Sequence, residues 1–507
     1  MPTVHANSSV ATAHPTATIR SGVVRGRMIE GTAAYLGVPF AAGPVGPLRF
    51  QAPQPAANWD GIRDCFDYGP TAPQPIQRVT LIPEPISDGD DYLNLNIFAP
   101  PSQSSKAPVL VWVHGGGFFS GCNRSPWYRG HRFARDGIVL VALNYRLGAE
   151  GFMPMRGAPE NRAVLDWIAA LEWVRDNIAA FGGDPQNVTI AGQSAGAIAC
   201  AYLMTMPRAK GLFRRVIAMS GSIGLGLGAE RAEAIGAAFR KTLGAGDDAV
   251  ELARIPTTQF IDAQARFGGA DAEGQPTPNV FAQQMGQGLL FQPVIDGTLI
   301  LQSATRAIIA GAGADVPMLL SLTAHEFDFL VPDDGSPYSQ DELGRGLLAF
   351  GFDRDDSAAY AKFHRDLPTR TVLGRAISDA YFRARAVETA EIRIKTPAST
   401  YLCEFRWSPS PPVPGNFGAC HCIDVPFAFD VMDAEQISRF AGSNPPQSLA
   451  THLHGALVGF VKEQGPGWAP YREDRREAML FDSAPGTHPD PFRDERKLWG
   501  ASRWVRS

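Results

Sequence analysis

The sequence predicts an α/β fold: a large, mostly parallel central sheet with helices on both faces. Three observations carry this. Six short apolar, β-branched runs read as buried strands: Val109–Val113, Ile138–Leu143, Val188–Ala191, Val216–Met219, Val316–Leu322 and Thr400–Phe405. Stretches with helical periodicity lie between them, and that alternation is the pattern of a sheet covered on both sides. The 507 residues are 45% hydrophobic and 19% charged, which is enough apolar material for a large core.

Residues 1–16 are polar, rich in Ala, Thr and Ser, and unpatterned, so they are expected to form a loose tail. Residues 17–507 are read as one domain. Strand Val109–Val113 runs directly into His114-Gly115-Gly116-Gly117. Leu165, Ile168, Leu171, Trp173 and Ile178 trace one apolar face within Asn161–Phe181, and Gly182-Gly183-Asp184-Pro185 is expected to stop that helix. Val188–Ala191 is followed by a tight turn and by the apolar stretch Ala197–Met206. Sites in such sheets form outside the carboxyl ends of the strands, so the loops there are where chemistry is sought.

Several classes are argued against. Lys plus Arg is 46 against 51 for Asp plus Glu, a net charge of −5, and no basic run occurs, which disfavours nucleic-acid partners. The longest apolar run, Ala197–Met204, is far short of the ~18 residues of a membrane span. The first residues hold no apolar segment of a secretory signal, and the 6 cysteines are too sparse for a disulfide scaffold, so a reduced cytoplasm is the default. A processed secreted form would read the same. No dinucleotide or phosphate-loop motif follows a strand, and no cofactor is expected.

Gly192-Gln193-Ser194-Ala195-Gly196 sits between a strand and a helix. Small flanking glycines let the chain turn sharply and leave the Ser194 hydroxyl at the tip as a candidate nucleophile. The three glycines after His114 leave backbone N–H groups unshielded, and such a loop can aim two of them at a developing oxyanion. A third would come from the residue after the nucleophile, Ala195. Phe118 and Phe119 follow and are expected to line an apolar entrance or acyl pocket, although burial of Phe118 in the core is an equally open reading.

In this order the two motifs resemble the type B carboxylesterase family of the α/β-hydrolase superfamily, in particular its bacterial para-nitrobenzyl esterase type. Further matches extend from about Thr18 to Asp482. They include Tyr35-Leu36-Gly37-Val38-Pro39-Phe40-Ala41, Gly46-Pro47-Leu48-Arg49-Phe50, Asn144-Tyr145-Arg146-Leu147-Gly148 and Phe181-Gly182-Gly183-Asp184-Pro185. Trp468-Ala469-Pro470-Tyr471 is similar to a late family motif. The resemblance implies a serine, acid, histidine order along the chain, with oxyanion donors at Gly116, Gly117 and Ala195.

A serine hydroxyl needs a base within hydrogen-bond reach. Of the 10 histidines, His421 lies in a segment similar to the family's Ala-x-His-x-x-Glu-x-Pro, with Asp424 where Glu is usual. Glu326 follows Val316–Leu322 and is expected to hold one tautomer of that imidazole. The family usually has Asp-Glu-Gly there, and this chain has His325-Glu326-Phe327. Asp328 and Asp315 are weaker rivals. Ser220 resembles a second serine that supports the acid and the histidine. His114 is assigned to the oxyanion loop, and His452 and His454 to a helix that packs or faces solvent.

The departures narrow the reading. Secreted animal members carry an early disulfide where this chain has Ala72 and Tyr92. Choline esterases have Glu before the serine and an upstream tryptophan. Gln193 and Pro83-Glu84-Pro85-Ile86 stand here instead, which argues against choline esters. Cys420 and Cys422 flank His421 but lack a second half-site, so no metal is expected. The expectation is a carboxylesterase acting on neutral short-to-medium-chain or aryl esters through Ser194, His421 and Glu326. The alternatives are a carbamate or aryl-amide hydrolase on the same residues, an acyltransferase, and a non-catalytic binding protein. A small-molecule ester is the expected partner. Natural substrate and oligomeric state are not legible, because they depend on loops such as Leu81–Gly89, Gly268–Gly288 and Pro332–Leu347.

Overall fold

The computed structural model describes residues 14–76, 80–101, 106–268, 289–331, 339–349, 352–414 and 417–501. A three-stranded sheet near the N-terminus contains β1 (Thr16–Ile19), β2 (Gly22–Arg25) and β5 (Ile62–Asp64). The central sheet takes β3 (Arg27–Ile29), β4 (Thr32–Pro39), β6 (Asn94–Ala99), β7 (Ala107–Val113), β8 (Val139–Leu143), β9 (Gly183–Gln193) and β10 (Arg215–Met219). It is completed by β13 (Met318–Thr323), β14 (Thr400–Phe405), β15 (Ala478–Phe481) and β16 (Gly486–His488). A two-stranded ribbon joins β11 (Leu227–Gly228) to β12 (Val294–Ile295).

The 11 strands run in the order β16-β15-β14-β13-β10-β9-β7-β8-β6-β4-β3. From β8 to β15 every neighbouring pair is parallel, and the antiparallel pairings lie at the two edges. Register aligns Val113 with Gly192, Gln193 with Met219, and Met219 with Ser321. The segments after β7, β9, β10 and β13 therefore leave the sheet along one edge, its carboxyl edge.

Strand side chains alternate between two cores. Val109, Val111, Val113, Ile190, Val216 and Leu320 enter one of them. The helices Arg162–Asn177 and Ala195–Thr205 cover it with Trp167, Ile168, Leu171 and Ile198. Leu110, Trp112, Ala191, Ile217 and Leu319 enter the other, under the helices Asp424–Ala428 and Gln447–Val461. All six strands expected from the sequence are present. Only Thr400–Phe405 keeps its expected bounds, and the other five differ in extent, two of them for a clear reason. β13 starts at Met318, because Pro317 has no N–H to give to a ladder. β9 starts at Gly183, since Gly182 alone, at φ 83°, ends the preceding turn.

Two other expectations change. Of the tail, residues 1–13 lie outside the described residues, and Thr16 already opens β1. The expected loop Pro332–Leu347 contains the start of a helix, Gln340–Ala349. Its signal was in the sequence: Ser339 Oγ accepts from Glu342 N (3.2 Å) and Glu342 Oε2 accepts from Ser339 N (2.7 Å), a reciprocal cap. The parts of the named loops at 269–288 and 332–338 fall outside the described residues.

One buried ion pair ties the loop after β8 to the first long helix. Arg146 gives Nε to Asp166 Oδ2 (2.8 Å) and Nη2 to Oδ1 (2.6 Å), and both side chains are almost fully buried. Removing one partner leaves the other charge buried and uncompensated. Asp166→Asn is therefore expected to lower the unfolding free energy by about 3–5 kcal/mol in equilibrium urea titrations. A loss below about 1 kcal/mol would show that the pair carries no such weight.

Candidate active site

Ser194 sits at the turn between β9 and the helix Ala195–Thr205, at φ 57°, ψ −122°. A residue with a side chain rarely adopts that backbone, and Ser194 is left partly accessible between the two elements. Two close approaches hold the turn. A Cβ on Gly196 would lie 2.0 Å from Val113 O, and one on Gly192 would lie 2.4 Å from the Gly196 carbonyl. The glycines are thus required by contact as well as by the bend. Ser194 N donates to Met219 O (2.8 Å), which anchors the turn on the neighbouring strand.

The glycine loop after β7 faces this turn. A Cβ on Gly115 would lie 3.2 Å from Ser194 Cβ. Gly116 and Gly117 have φ 100° and 60°. No described hydrogen bond uses the N–H groups of Gly116, Gly117 or Ala195. Outer contacts fix the loop. Phe118 O accepts from Gly148 N (2.6 Å), His114 O from Tyr145 Oη (3.1 Å), and Gln74 bonds both the N–H and the carbonyl of Gly121 (2.8 and 2.9 Å). His114 stacks on Tyr145 with ring centres 4.4 Å apart, and burial pushes its imidazole down to about 4.

The loops that carry Glu326 and His421 are stitched together. His421 Nδ1 lies 2.5 Å from Glu326 Oε2, and Glu326 Oε1 accepts from Thr323 N (2.8 Å). His421 N donates to Glu326 O (2.8 Å) and His325 N to Ala419 O (3.0 Å). The two flanking departures have structural work here. His325 Nδ1 accepts from Ala419 N (2.9 Å), and the Phe327 ring packs 4.6 Å from the His421 ring. Phe382 packs on the same imidazole at 4.9 Å. Phe382 carries no sequence signal, because it reaches the site from a distant helical segment.

His421 Nε2 accepts from the Gln193 side-chain amide at 3.0 Å, which leaves the ring proton on Nδ1, facing Glu326. Ser194 Oγ has no described hydrogen bond; the serine is one residue from Gln193 and partly accessible. Ser220 follows the adjacent strand β10 at φ 48°, and its N–H donates to Ser321 O (2.7 Å). Its Oγ is buried without a partner among the described residues. Asp424 is buried nearby, and burial with the Glu326 charge pushes its carboxyl up to about 8, so it is neutral at pH 7.

Other candidates are placed elsewhere. Asp328 pairs with Arg375 (3.1 Å) and Ser378 (2.6 Å), and Asp315 is exposed. His454 is buried between Ala428 O (2.8 Å) and Asp136 (3.0 Å), whereas His452 is exposed on the same helix. Burial raises both Cys420 and Cys422 far above an ordinary thiol. Phe118 is a correction. It is fully buried against Phe152 and Trp167, with ring centres 5.2 and 6.0 Å away, because its positive φ turns it into the core. Phe119 is partly accessible beside Gly117.

Residues 13–490 match the model of the carboxylesterase family. The chain is 33% identical over 500 residues to the para-nitrobenzyl esterase of Bacillus subtilis, covering 96% of this chain and 98% of that protein. It is 33% identical over 482 residues to the phenmedipham hydrolase of Pseudarthrobacter oxydans, covering 91% and 93%. A solved para-nitrobenzyl esterase structure superposes with a TM-score of 0.84 at 31% identity, over 96% of this chain and 99% of that one.

His114 has a consequence for stability. Its ordinary value, which the unfolded chain regains, is near ~6.5. Between there and about 4 the unfolded chain binds a proton that the folded protein excludes, so stability falls as pH falls through this window. The wild type is expected to lose about 2 kcal/mol between pH 7 and pH 5 from this residue. Urea titrations of His114→Gln at the two pH values should show that much less loss, and an unchanged slope would assign the acid sensitivity elsewhere.

Proposed function

The chain belongs to the carboxylesterase family, serine hydrolases of carboxylic esters, and on that premise we propose that it cleaves neutral short-to-medium-chain or aryl esters through Ser194, His421 and Glu326. The observation that carries this reading is the Glu326–His421 contact, held by main-chain bonds between the two loops at the carboxyl edge where Ser194 turns. Glu326 keeps the imidazole proton on Nδ1, which frees Nε2 to act as a base.

In the reaction, the Gln193 amide yields Nε2 to the Ser194 hydroxyl. Ser194 Oγ attacks the ester carbonyl carbon and its proton passes to His421 Nε2. The carbonyl oxygen becomes an oxyanion that accepts from the N–H groups of Gly116, Gly117 and Ala195. Each such donor contributes on the order of 3 kcal/mol to the transition state. The intermediate collapses, the C–O bond breaks, and His421 returns the proton to the leaving alcohol. Water then attacks the acyl-enzyme along the same path and releases the acid. Ser220, whose buried Oγ has no partner among the described residues, is the serine assigned by resemblance to support the acid and the histidine, and Phe119 forms part of the apolar wall beside Gly117.

The test is kcat/KM on para-nitrophenyl acetate, butyrate, octanoate and palmitate, with matched carbamate and anilide substrates alongside. The expected result is a maximum at short or medium chains, esters ahead of carbamate and anilide, and a loss of about 10³-fold or more in Ser194→Ala. Activity that persists in Ser194→Ala would refute the mechanism. Glu326→Gln should lower kcat by about 10³–10⁴-fold with little change in KM, because it disturbs the tautomer and not the binding of substrate. A change confined to KM would remove Glu326 from this role.

A further inference from the structure

We infer that Glu84 is a specificity-determining residue whose carboxylate receives an N–H-bearing ammonium group of the ester. The inference rests on the serine-esterase mechanism proposed above, and it widens the neutral substrate class given there to include protonated amino esters. Glu84 belongs to the irregular stretch before β6, and the reaction as written does not use it.

Its position comes first. Glu84 Oε1 lies 3.4 Å from Ser120 Oγ, and the same hydroxyl lies 3.4 Å from Gly116 O. Ser120 N donates to Gly116 O at 3.0 Å. A Cβ on Gly116 would meet Ser120 O at 2.1 Å and Ser120 Oγ at 3.0 Å. The carboxyl is therefore one side chain removed from a glycine proposed to hold the oxyanion. Ser120 itself is buried, whereas Gly116, Gly117, Phe119, Ser194 and Glu84 are all partly accessible.

Its lack of partners comes second. Among the described residues Glu84 has one hydrogen-bond partner, Ser120, and enters no ion pair. Among the described residues the titratable groups within its field are Cys122, Tyr128 and Tyr145, and burial keeps all three protonated near neutral pH. A partly accessible carboxylate without a cation beside it is uncompensated, and a charge-assisted N–H···O bond from a ligand supplies what the described residues do not. Burial raises its carboxyl to about 7, so the site is mostly neutral at pH 6 and mostly ionised at pH 7.5. Quaternary choline has no N–H and stays outside this class, in keeping with the expectation against choline esters.

The experiment compares matched substrates that differ only in the charged group. 2-(Dimethylamino)ethyl butyrate is set against 3-methylbutyl butyrate, and 4-nitrophenyl 6-aminohexanoate against 4-nitrophenyl heptanoate. One pair places the ammonium on the alcohol side and the other on the acyl side. For each, the ratio of kcat/KM, ammonium over neutral, is measured from pH 6.0 to 7.5 in the wild type, Glu84→Gln and Glu84→Asp. In at least one pair the wild-type ratio should rise with pH and exceed that of Glu84→Gln by about tenfold at pH 7.5. Glu84→Asp should keep the rise and Glu84→Gln should lose it. If the neutral esters are hydrolysed but the ratios are flat with pH and the same in Glu84→Gln, the inference is overturned and the esterase reading stands. If the folded wild type hydrolyses none of the four esters, the esterase reading fails and takes this inference with it. Should Glu84→Gln not fold, the wild-type ratio decides alone, and a flat profile in both pairs overturns the inference.

Discussion

The arrangement of the site depends on how closely the helix Ala195–Thr205 approaches the end of β7. Gly196 lies so near Val113 O that a single added methyl would stand 2.0 Å from it. That approach sets the Ser194 turn against the glycine loop and brings the start of the helix beside Gly116 and Gly117. An alanine at Gly196 would have to push the helix off the strand, and the distances of the proposed oxyanion pocket would open with it.

The parallel register supplies the second constraint. Four strands end in line, so Gln193, Met219 and Thr323 deliver their following residues to one edge. From there the chain relies on local bonds. Glu326 is held by Thr323 N and by its own carbonyl accepting from His421 N, and the imidazole is wedged by Phe327 and Phe382. Such a ring has little freedom to leave the Glu326 carboxylate. The contact between Gln193 and Nε2 is the one that, in the mechanism proposed above, the imidazole exchanges for the serine hydroxyl.

The polar groups behind the histidine form a layer of their own. Asp424 is buried and neutral, and Glu326 is buried and bonded on both oxygens. Keeping one carboxyl protonated avoids two adjacent negative charges in a place of low polarisability. Toward solvent the pattern reverses. Glu84 is the partly accessible carboxyl on the oxyanion side, bonded only to Ser120 among the described residues.

Six strands of the central sheet are legible in the sequence, because β-branched runs bounded by glycine and proline have few other ways to bury their surface, whereas the edge strands β3, β4, β6, β15 and β16 are not. The sequence by itself also marked Ser194 and the glycine loop, since those motifs sit within a few consecutive residues and their geometry is local. Glu326 and His421 were reachable through resemblance, although 95 residues separate them along the chain. The tertiary structure alone decided the rest. The Phe118 ring turns into the core and Phe119 does not, which depends on backbone handedness at one residue. His325 and Phe327 looked like departures from a pattern, and their roles exist only because a loop from beyond β14 lies across them. Phe382, Gln193 against His421, and Glu84 against Ser120 are contacts between segments distant in sequence or set by side-chain direction, and no local pattern encodes such meetings.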